Sequence, residues 1–258
     1  MLSEGELVYL LDEKGKRHFL RLERGMLKIV GLGVVDSSKI LGSDEGVRIN
    51  FAGNEFVVLR PGTVELMDSL ERGAQVIMPK DAATICLKLD LKDGDVVLEA
   101  GVGSGSLTTA LLSRVSRSGR VLSIELREDF GSKARRNVER SPFRDLWTLI
   151  MGDVTKADIP VQLDAAVLDM PNPWDALPNL MRRLRPGGRL CAYVPNNNQV
   201  EDIVRRMDKV GFVEIEVLEN IQRNIEVHDG GVRPSFEMLG HTGYLVFGRM
   251  TASGQVKG

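Results

Sequence analysis

Four acids and a cluster of glycines carry most of the chemistry that this sequence can offer. The stretch "VVLEAGVGSGSLTTALL" places Gly101, Gly103 and Gly105 between an apolar run and a helix-length segment, with Glu99 just ahead of them. Where side chains are missing at such a turn, a ligand can approach the backbone N–H groups at the start of a helix. Glu125 closes the next apolar run, "GRVLSIEL", twenty residues beyond Gly105, where a carboxylate can accept both hydroxyls of a bound ribose or simply face solvent. Asp153, in "MGDV", follows the third run and suits either an adenine amino group or the capping of a turn. Asp169 stands in "LDMPNPW", directly after an apolar run and before two prolines and a tryptophan. Asn172 as a cap, Pro173 at a first helical position and Asp175 in the first turn account for the end of that motif, although Pro178 argues for a later helix start. Asp169 is left without a structural role by that account.

The elements that position these acids follow from the hydrophobic rhythm. From Asp95 onward an apolar strand, a turn and a helix-length segment alternate, which is the pattern of an α/β fold with a mostly parallel sheet. Strands are expected at 96–100, 119–126, 146–152, 164–170, 188–195, 213–220 and 243–250, and helices at 105–117, 128–140, 174–185 and 197–210. Glu99, Glu125 and Asp153 then share the carboxyl edge of the sheet, where open parallel sheets bind ligands. Residues 1 to 65 read instead as a small β module of short strands, "ELVYLLD", "RHFLRL", "GVRINFAG" and "EFVVLRP", with Gly53 and Asn54 as hairpin turn residues. Residues 66–258 form the second domain.

Composition narrows the function classes. At 43% hydrophobic residues over 258 positions the chain can bury a sizeable core, and its charges interrupt every apolar stretch, so no membrane span is expected. Its amino terminus has neither the basic start nor the apolar core of a signal peptide. Cys86 and Cys191 lack metal-ligand spacing, so neither a metal site nor a disulfide framework is indicated, and a reducing cytoplasm fits. A formal charge of −2 gives no general affinity for nucleic acid, so RNA binding would rest on local patches.

The acid-x-Gly-x-Gly-x-Gly turn resembles the first motif of class I S-adenosylmethionine-dependent methyltransferases; Ser106 stands where a dinucleotide fingerprint would have glycine. A closer resemblance spans nearly the whole chain. "ERGAQVIMPKDAATI", "EAGVGSGSLT", "LDMPNPWDAL", "LRPGGRLCAYVPNNNQV" and "RPSFEMLGHTGYLVFGR" together resemble the tRNA adenine-N1 methyltransferase family, which modifies adenine 58 of the T loop and, in archaeal members, adenine 57 as well.

That resemblance implies a Rossmann-like catalytic domain, S-adenosylmethionine as donor, tRNA as substrate and a homotetramer. It implies that Gln75 lies across the cofactor and that Gly101, Gly103, Ser104, Gly105, Ser106, Leu107, Glu125, Asp153 and Asp169 surround it. Asp169 becomes the expected catalytic carboxylate: adenine N1 has an in-plane lone pair and needs no strong base, whereas the cation formed on methylation is stabilised by an acceptor for the N6 hydrogen. Tyr193, ending the fifth strand on the same edge, is the second expected catalytic residue. Met78 replaces an aromatic residue common in the family and could still pack on a base through its thioether. Arg233, in a loop by composition, is the favoured RNA contact over Arg182, Arg183, Arg185, Arg189 and Arg223. Two alternatives remain: another methyl acceptor, such as a protein carboxylate or a small molecule, and a non-catalytic tRNA-binding subunit.

Overall fold

Short strands with apolar residues on one face build the amino-terminal unit, Met1–Ser69. The computed structural model describes residues 1–29, 31–51, 53–71 and 76–252. In this unit β1 (Leu7–Asp12), β2 (Arg17–Arg21), β5 (Arg48–Phe51) and β6 (Asn54–Leu59) form an antiparallel sheet in the order β2-β1-β6-β5, and β3 (Met26–Ile29) pairs with β4 (Gly33–Asp36) as a separate hairpin. Val8, Leu10, Leu20, Leu22, Phe56 and Val58 form its core. Asn54 pairs with Phe51 across β5 and β6, so it already belongs to the strand and not to the turn. The short helix α1 (Thr63–Asp68) completes the unit.

The unit Leu70–Gly258 holds a seven-stranded sheet. Its strands are β7 (Val96–Ala100), β8 (Arg120–Glu125), β9 (Trp147–Met151), β10 (Leu163–Leu168), β11 (Leu184–Val194), β12 (Phe212–Glu219) and β15 (Tyr244–Met250), in the order β12-β15-β11-β10-β7-β8-β9. All neighbouring pairs from β9 to β11 are parallel, and β15 runs antiparallel between β11 and β12. The central strands are near-continuous apolar runs buried on both faces, as a helix-covered parallel sheet requires. Helices α2 (Pro79–Lys88), α3 (Ser106–Val115), α4 (Glu128–Val138) and α6 (Asn197–Lys209) accompany the sheet. The chain leaves β7 toward β8 and β9, then returns to the other side of β7 as β10, so a crevice opens at the carboxyl ends of β7 and β10.

Two expectations need correction. The helix expected over 174–185 is a 3-10 turn, Pro173–Ala176, followed by the single turn α5 (Leu177–Leu180). Pro178 lacks an amide hydrogen and the chain soon reaches Pro186 and two glycines, so no longer helix propagates. Strand β11 starts at Leu184, ahead of the expected 188, because Leu184 pairs with Leu163 before the register shifts to Arg189 opposite Ala165. Helix α2 and the hairpin of β13 (Ile225–His228) with β14 (Gly231–Pro234) were not anticipated; Pro79 opens α2 at a position where its missing N–H is harmless.

Candidate active site

The crevice at the switch point widens into a cavity of about 540 Å³, within the roughly 300–1,000 Å³ that small-molecule sites occupy. Gly101, Gly103 and Ser104 line it from the turn after β7, Glu125, Leu126, Arg127 and Phe130 from the junction of β8 with α4, and Asp153 and Val154 from the loop after β9. Asp169, Met170 and Pro171 close it after β10, and Tyr193, Pro195 and Gln199 after β11.

Glu125 is buried and reaches across to the glycine turn. Its Oε2 accepts from the backbone N–H groups of Val102 (3.0 Å) and Gly103 (3.3 Å), and its Oε1 from that of Arg127 (2.9 Å). A Cβ added to Gly101 would sit 3.0 Å from that Oε2 and 3.5 Å from the Asp169 carbonyl, so only glycine lets the three strand ends converge here without displacement. Gly105 caps α3 with φ of 80°, a left-handed conformation that side chains other than glycine's strain to adopt.

Behind the turn lies Glu99, 1% exposed. Its Oε2 accepts from the hydroxyls of Thr108 (2.6 Å) and Ser123 (2.5 Å), while Oε1 has no hydrogen-bond partner among the described residues. Burial pushes its pKa up to about 8, against the two hydroxyl bonds that favour the ionised form, so the group is a neutral acid at pH 7. Ser123 in turn accepts from the indole N–H of Trp147 (2.8 Å).

Asp169 follows β10 and is pinned through its backbone: its N–H donates to the Ala100 carbonyl (2.5 Å) and its carbonyl accepts from Gly101 (3.1 Å). Its carboxylate makes no hydrogen bond to another described side chain and projects into the cavity. The surrounding protein and then the Glu125 carboxylate push its pKa up to about 7. Water in the open cavity reaches the exposed side chain, so this desolvation acts in full only when a ligand fills the space. Asp153 caps the turn after β9, where Oδ1 accepts from the N–H (2.9 Å) and hydroxyl (2.8 Å) of Thr155, which lowers its pKa, and the residue also lines the cavity.

The other expected residues distribute as follows. Tyr193 is among the cavity-lining residues, but it is buried and its hydroxyl donates to the Thr242 carbonyl (2.6 Å). Ser106 donates to the Ile77 carbonyl (3.2 Å) and Leu107 is buried, so both pack the start of α3 away from the cavity lining. Met78 is half-buried at the cap of α2 and is not among the lining residues. Arg233 lies on β14, where it pairs with Glu226 (2.5 Å) and stacks on Phe236 at 4.3 Å; it does not reach the cavity. Gln75 lies outside the described residues. Arg127 and Phe130, stacked at 3.9 Å, were not anticipated, though the signal was present: they directly follow an acid at the carboxyl end of a sheet strand.

The comparisons with known proteins decide the family. The family described as tRNA methyltransferase complex GCD14 subunit matches residues 55–231. The chain belongs to this tRNA methyltransferase family. It is 32% identical to the tRNA (adenine(57)-N(1)/adenine(58)-N(1))-methyltransferase TrmI of Methanocaldococcus jannaschii, over 93% of this chain and 94% of that one. It is 34% identical to the tRNA (adenine(58)-N(1))-methyltransferase TrmI of Thermus thermophilus, over 92% and 94%. Among solved structures, TrmI from Aquifex aeolicus superposes with a TM-score of 0.80 at 31% identity, covering 98% of this chain and 99% of that one. A SAM-dependent O-methyltransferase from Thermotoga maritima superposes with a TM-score of 0.87 at 28% identity, covering 98% and 95%.

The donor set fits S-adenosylmethionine, the cofactor of such methyltransferases. Among the described lining residues Glu125, Asp153 and Asp169 outnumber the single basic one, Arg127, which suits a ligand carrying an ammonium and a sulfonium charge. The glycine turn admits close backbone approach, and Leu126, Phe130 and Met170 supply apolar surface for a nucleobase.

Proposed function

We propose that this protein transfers a methyl group from S-adenosylmethionine to N1 of adenine 58 in the T loop of tRNA. Family membership fixes the reaction class, and Asp169 carries the assignment to adenine: a carboxylate held by its backbone at a strand end, without a side-chain partner among the described residues and facing the cavity. When bound, the cofactor supplies an electrophilic methyl group on a sulfonium. Gly101, Gly103, Ser104, Glu125 and Asp153 hold it, and the wall of Met170, Pro171, Tyr193 and Pro195 receives the base.

Adenine N1 offers a lone pair without prior deprotonation, so Asp169 acts as an acceptor for the N6 hydrogen and not as a strong base. Positive charge spreads over N1 and N6 as the bond forms, and a carboxylate ~4 Å away at an effective dielectric near 20 attracts it by roughly 4 kcal/mol. Partial realisation of that energy gives about ten- to several-hundred-fold in rate. The rest of the acceleration comes from holding N1 in line with the methyl group. A T-loop base reaches this depth only when extruded from its stack.

Three further parts of the proposal rest on surface features. The arginines at 182, 183, 185 and 189 precede or open β11, at the sheet edge opposite the cavity, and engage Asn179, Asp158, Asp164 and the Lys88 carbonyl, so they do not serve the site directly. Val227, Val232 and Phe236 stand exposed in and beside the β13–β14 hairpin, which supports self-association into the homotetramer the family resemblance implies. No described helix is long and apolar enough to cross a membrane, and a tRNA substrate supports a cytoplasmic enzyme.

Incubating the purified protein with methyl-labelled S-adenosylmethionine and an unmodified tRNA transcript, then digesting to nucleosides, tests the reaction. N1-methyladenosine that disappears when adenine 58 is replaced supports it, and an additional replacement at position 57 reads the second site. An O-methylated product, or no label from folded protein, refutes it.

A further inference from the structure

The "GHTGY" segment is tied at successive residues to three different elements. His241 has its Nδ1 2.6 Å from Glu219 Oε1, at the end of β12, and its Nε2 2.9 Å from the Pro195 carbonyl, just after β11. Thr242 donates to Asp81 Oδ2 (2.8 Å), accepts from Lys80 Nζ (2.7 Å) on α2, and offers its carbonyl to the Tyr193 hydroxyl (2.6 Å). A Cβ on Gly243 would fall 2.4 Å from the Tyr193 ring, so the strap lies flush against that tyrosine. Tyr193 and Pro195 are the cavity residues contributed from the end of β11, on the side where the base is received under the proposed function.

A carbonyl oxygen can only accept, and so can an ionised carboxylate. Both ring nitrogens of His241 face acceptors, so both contacts are made together only when both nitrogens carry hydrogen. We propose that His241, held as an imidazolium, is a positioning residue for methyl transfer: donating from both ring nitrogens, it ties Pro195 to the end of β12 and sets the Tyr193–Pro195 wall that the target base meets. The inference rests on the adenine reading for the identity of that base and on the two contacts for the rest.

The charges around the ring agree with this. Glu219 and then the Pro195 carbonyl raise the pKa of His241, while desolvation and then Lys80 on α2 oppose them; Tyr244 on β15 lies against the ring as a neutral neighbour, tilted at 51° with centroids 4.8 Å apart. As pH rises through the raised value, one N–H is lost and its lone pair faces an acceptor. The charge-assisted bond to Glu219 is the stronger of the two, so the Pro195 end opens. Base binding then weakens on the alkaline side. The cofactor contacts, which come from β7, β8 and β9, are untouched.

Nitrogen-detected NMR of the full-length protein, which has three histidines, reads the protonation state directly. The expected result is a His241 ring with both nitrogens protonated at pH 7, with the Asn196 and Asn197 amides shifting along its titration. Glu219→Gln is expected to lower that titration, and with it the alkaline limb of kcat/KM for tRNA. His241→Gln is expected to abolish the limb and raise KM for tRNA about tenfold, the usual size for losing one hydrogen bond to a charged group, with the Kd for cofactor unchanged. A neutral ring at pH 7, an alkaline limb indifferent to Glu219→Gln, or a parallel loss of cofactor affinity would each overturn the proposal. Protein that shows the imidazolium and the coupled amide shifts but methylates no tRNA would instead refute the adenine reading.

Discussion

Replacing Glu99 by glutamine is expected to make this protein more stable at neutral pH, by an amount that grows as pH rises. Glu99 keeps its proton at pH 7 because its site holds the pKa at about 8, against an ordinary value of 4.5. A carboxyl whose folded pKa is raised binds more protons folded than unfolded, so ionisation in the unfolded chain draws the equilibrium away from the native state above pH 4.5. The loss continues until pH passes the folded value. Between pH 4.5 and pH 7 it amounts, at 1.36 kcal/mol per pH unit, to about 3 kcal/mol. Glutamine keeps a carbonyl for Thr108 and Ser123 and places its NH₂ where the unpartnered Oε1 stood, so it forfeits little of the native bonding. The assay is urea unfolding of both proteins at pH 4.5, 6, 7 and 8. Both tryptophans, Trp147 and Trp174, lie in the unit that contains Glu99, so their fluorescence reports on that unit alone. The difference in unfolding free energy should widen by about 3 kcal/mol in favour of the variant from pH 4.5 to pH 7. A difference that stays flat would mean that Glu99 titrates normally and would refute the neutral-acid assignment.

Three other substitutions have expected outcomes. Asp169→Asn should lower kcat about ten- to several-hundred-fold with a small change in cofactor Kd, measured by steady-state methylation and calorimetry; wild-type kcat, which reports the filled site, should rise with pH through about 7 as Asp169 ionises. The same substitution should raise stability above pH 4 by about 1 kcal/mol, a figure discounted because the side chain is open to the cavity's water; unchanged melting at pH 8 would contradict the raised pKa of Asp169, set by its surroundings and then by Glu125. Gly101→Ala, whose Cβ would press on Glu125 Oε2, should weaken cofactor binding about tenfold or more while shifting unfolding free energy by only about 1 kcal/mol. Gly105→Ala forces φ of 80° on alanine and a contact 3.0 Å from Val138, and should cost about 1–3 kcal/mol in urea unfolding.

What was legible in the sequence and what was not divide along a physical line. Strand β7 could be read residue for residue, and β8, β9 and α3 to within a residue or two at each end, because each is a single periodic run bounded by a glycine or a charge. The acids at their ends could be placed on one edge of the sheet because parallel topology sends every strand's carboxyl end the same way. Positions set by pairing across the chain were out of reach. The early start of β11 depends on Leu184 meeting Leu163, and in α2 only Ala82, Ile85 and Cys86 among the apolar residues turn inward, a face too short to mark itself without the neighbours it packs on. The site shows the same division. Glu125 and Asp169 could be placed at the cavity because each closely follows an apolar run, and so falls at the carboxyl end of a sheet strand. The burial of Glu99 by Thr108 and Ser123, and the tie from Tyr193 to Thr242, join residues 9, 24 and 49 positions apart, and no local pattern encodes them.

Those distant ties also explain why sequence blocks with no chemistry of their own accompany the catalytic ones. "PKD" supplies Lys80 and Asp81, which hold Thr242; "GHTGY" supplies Thr242, which holds Tyr193, and His241, which holds Pro195. Asp81 is fully buried and Lys80 nearly so, and that ion pair is retained with its remaining hydrogen-bonding capacity met by Thr242 and the Asn220 carbonyl. A buried pair is poor value as a source of stability, since its desolvation offsets its attraction. Its use here is geometric: it fixes one carbonyl oxygen against which a tyrosine of the cavity wall is set.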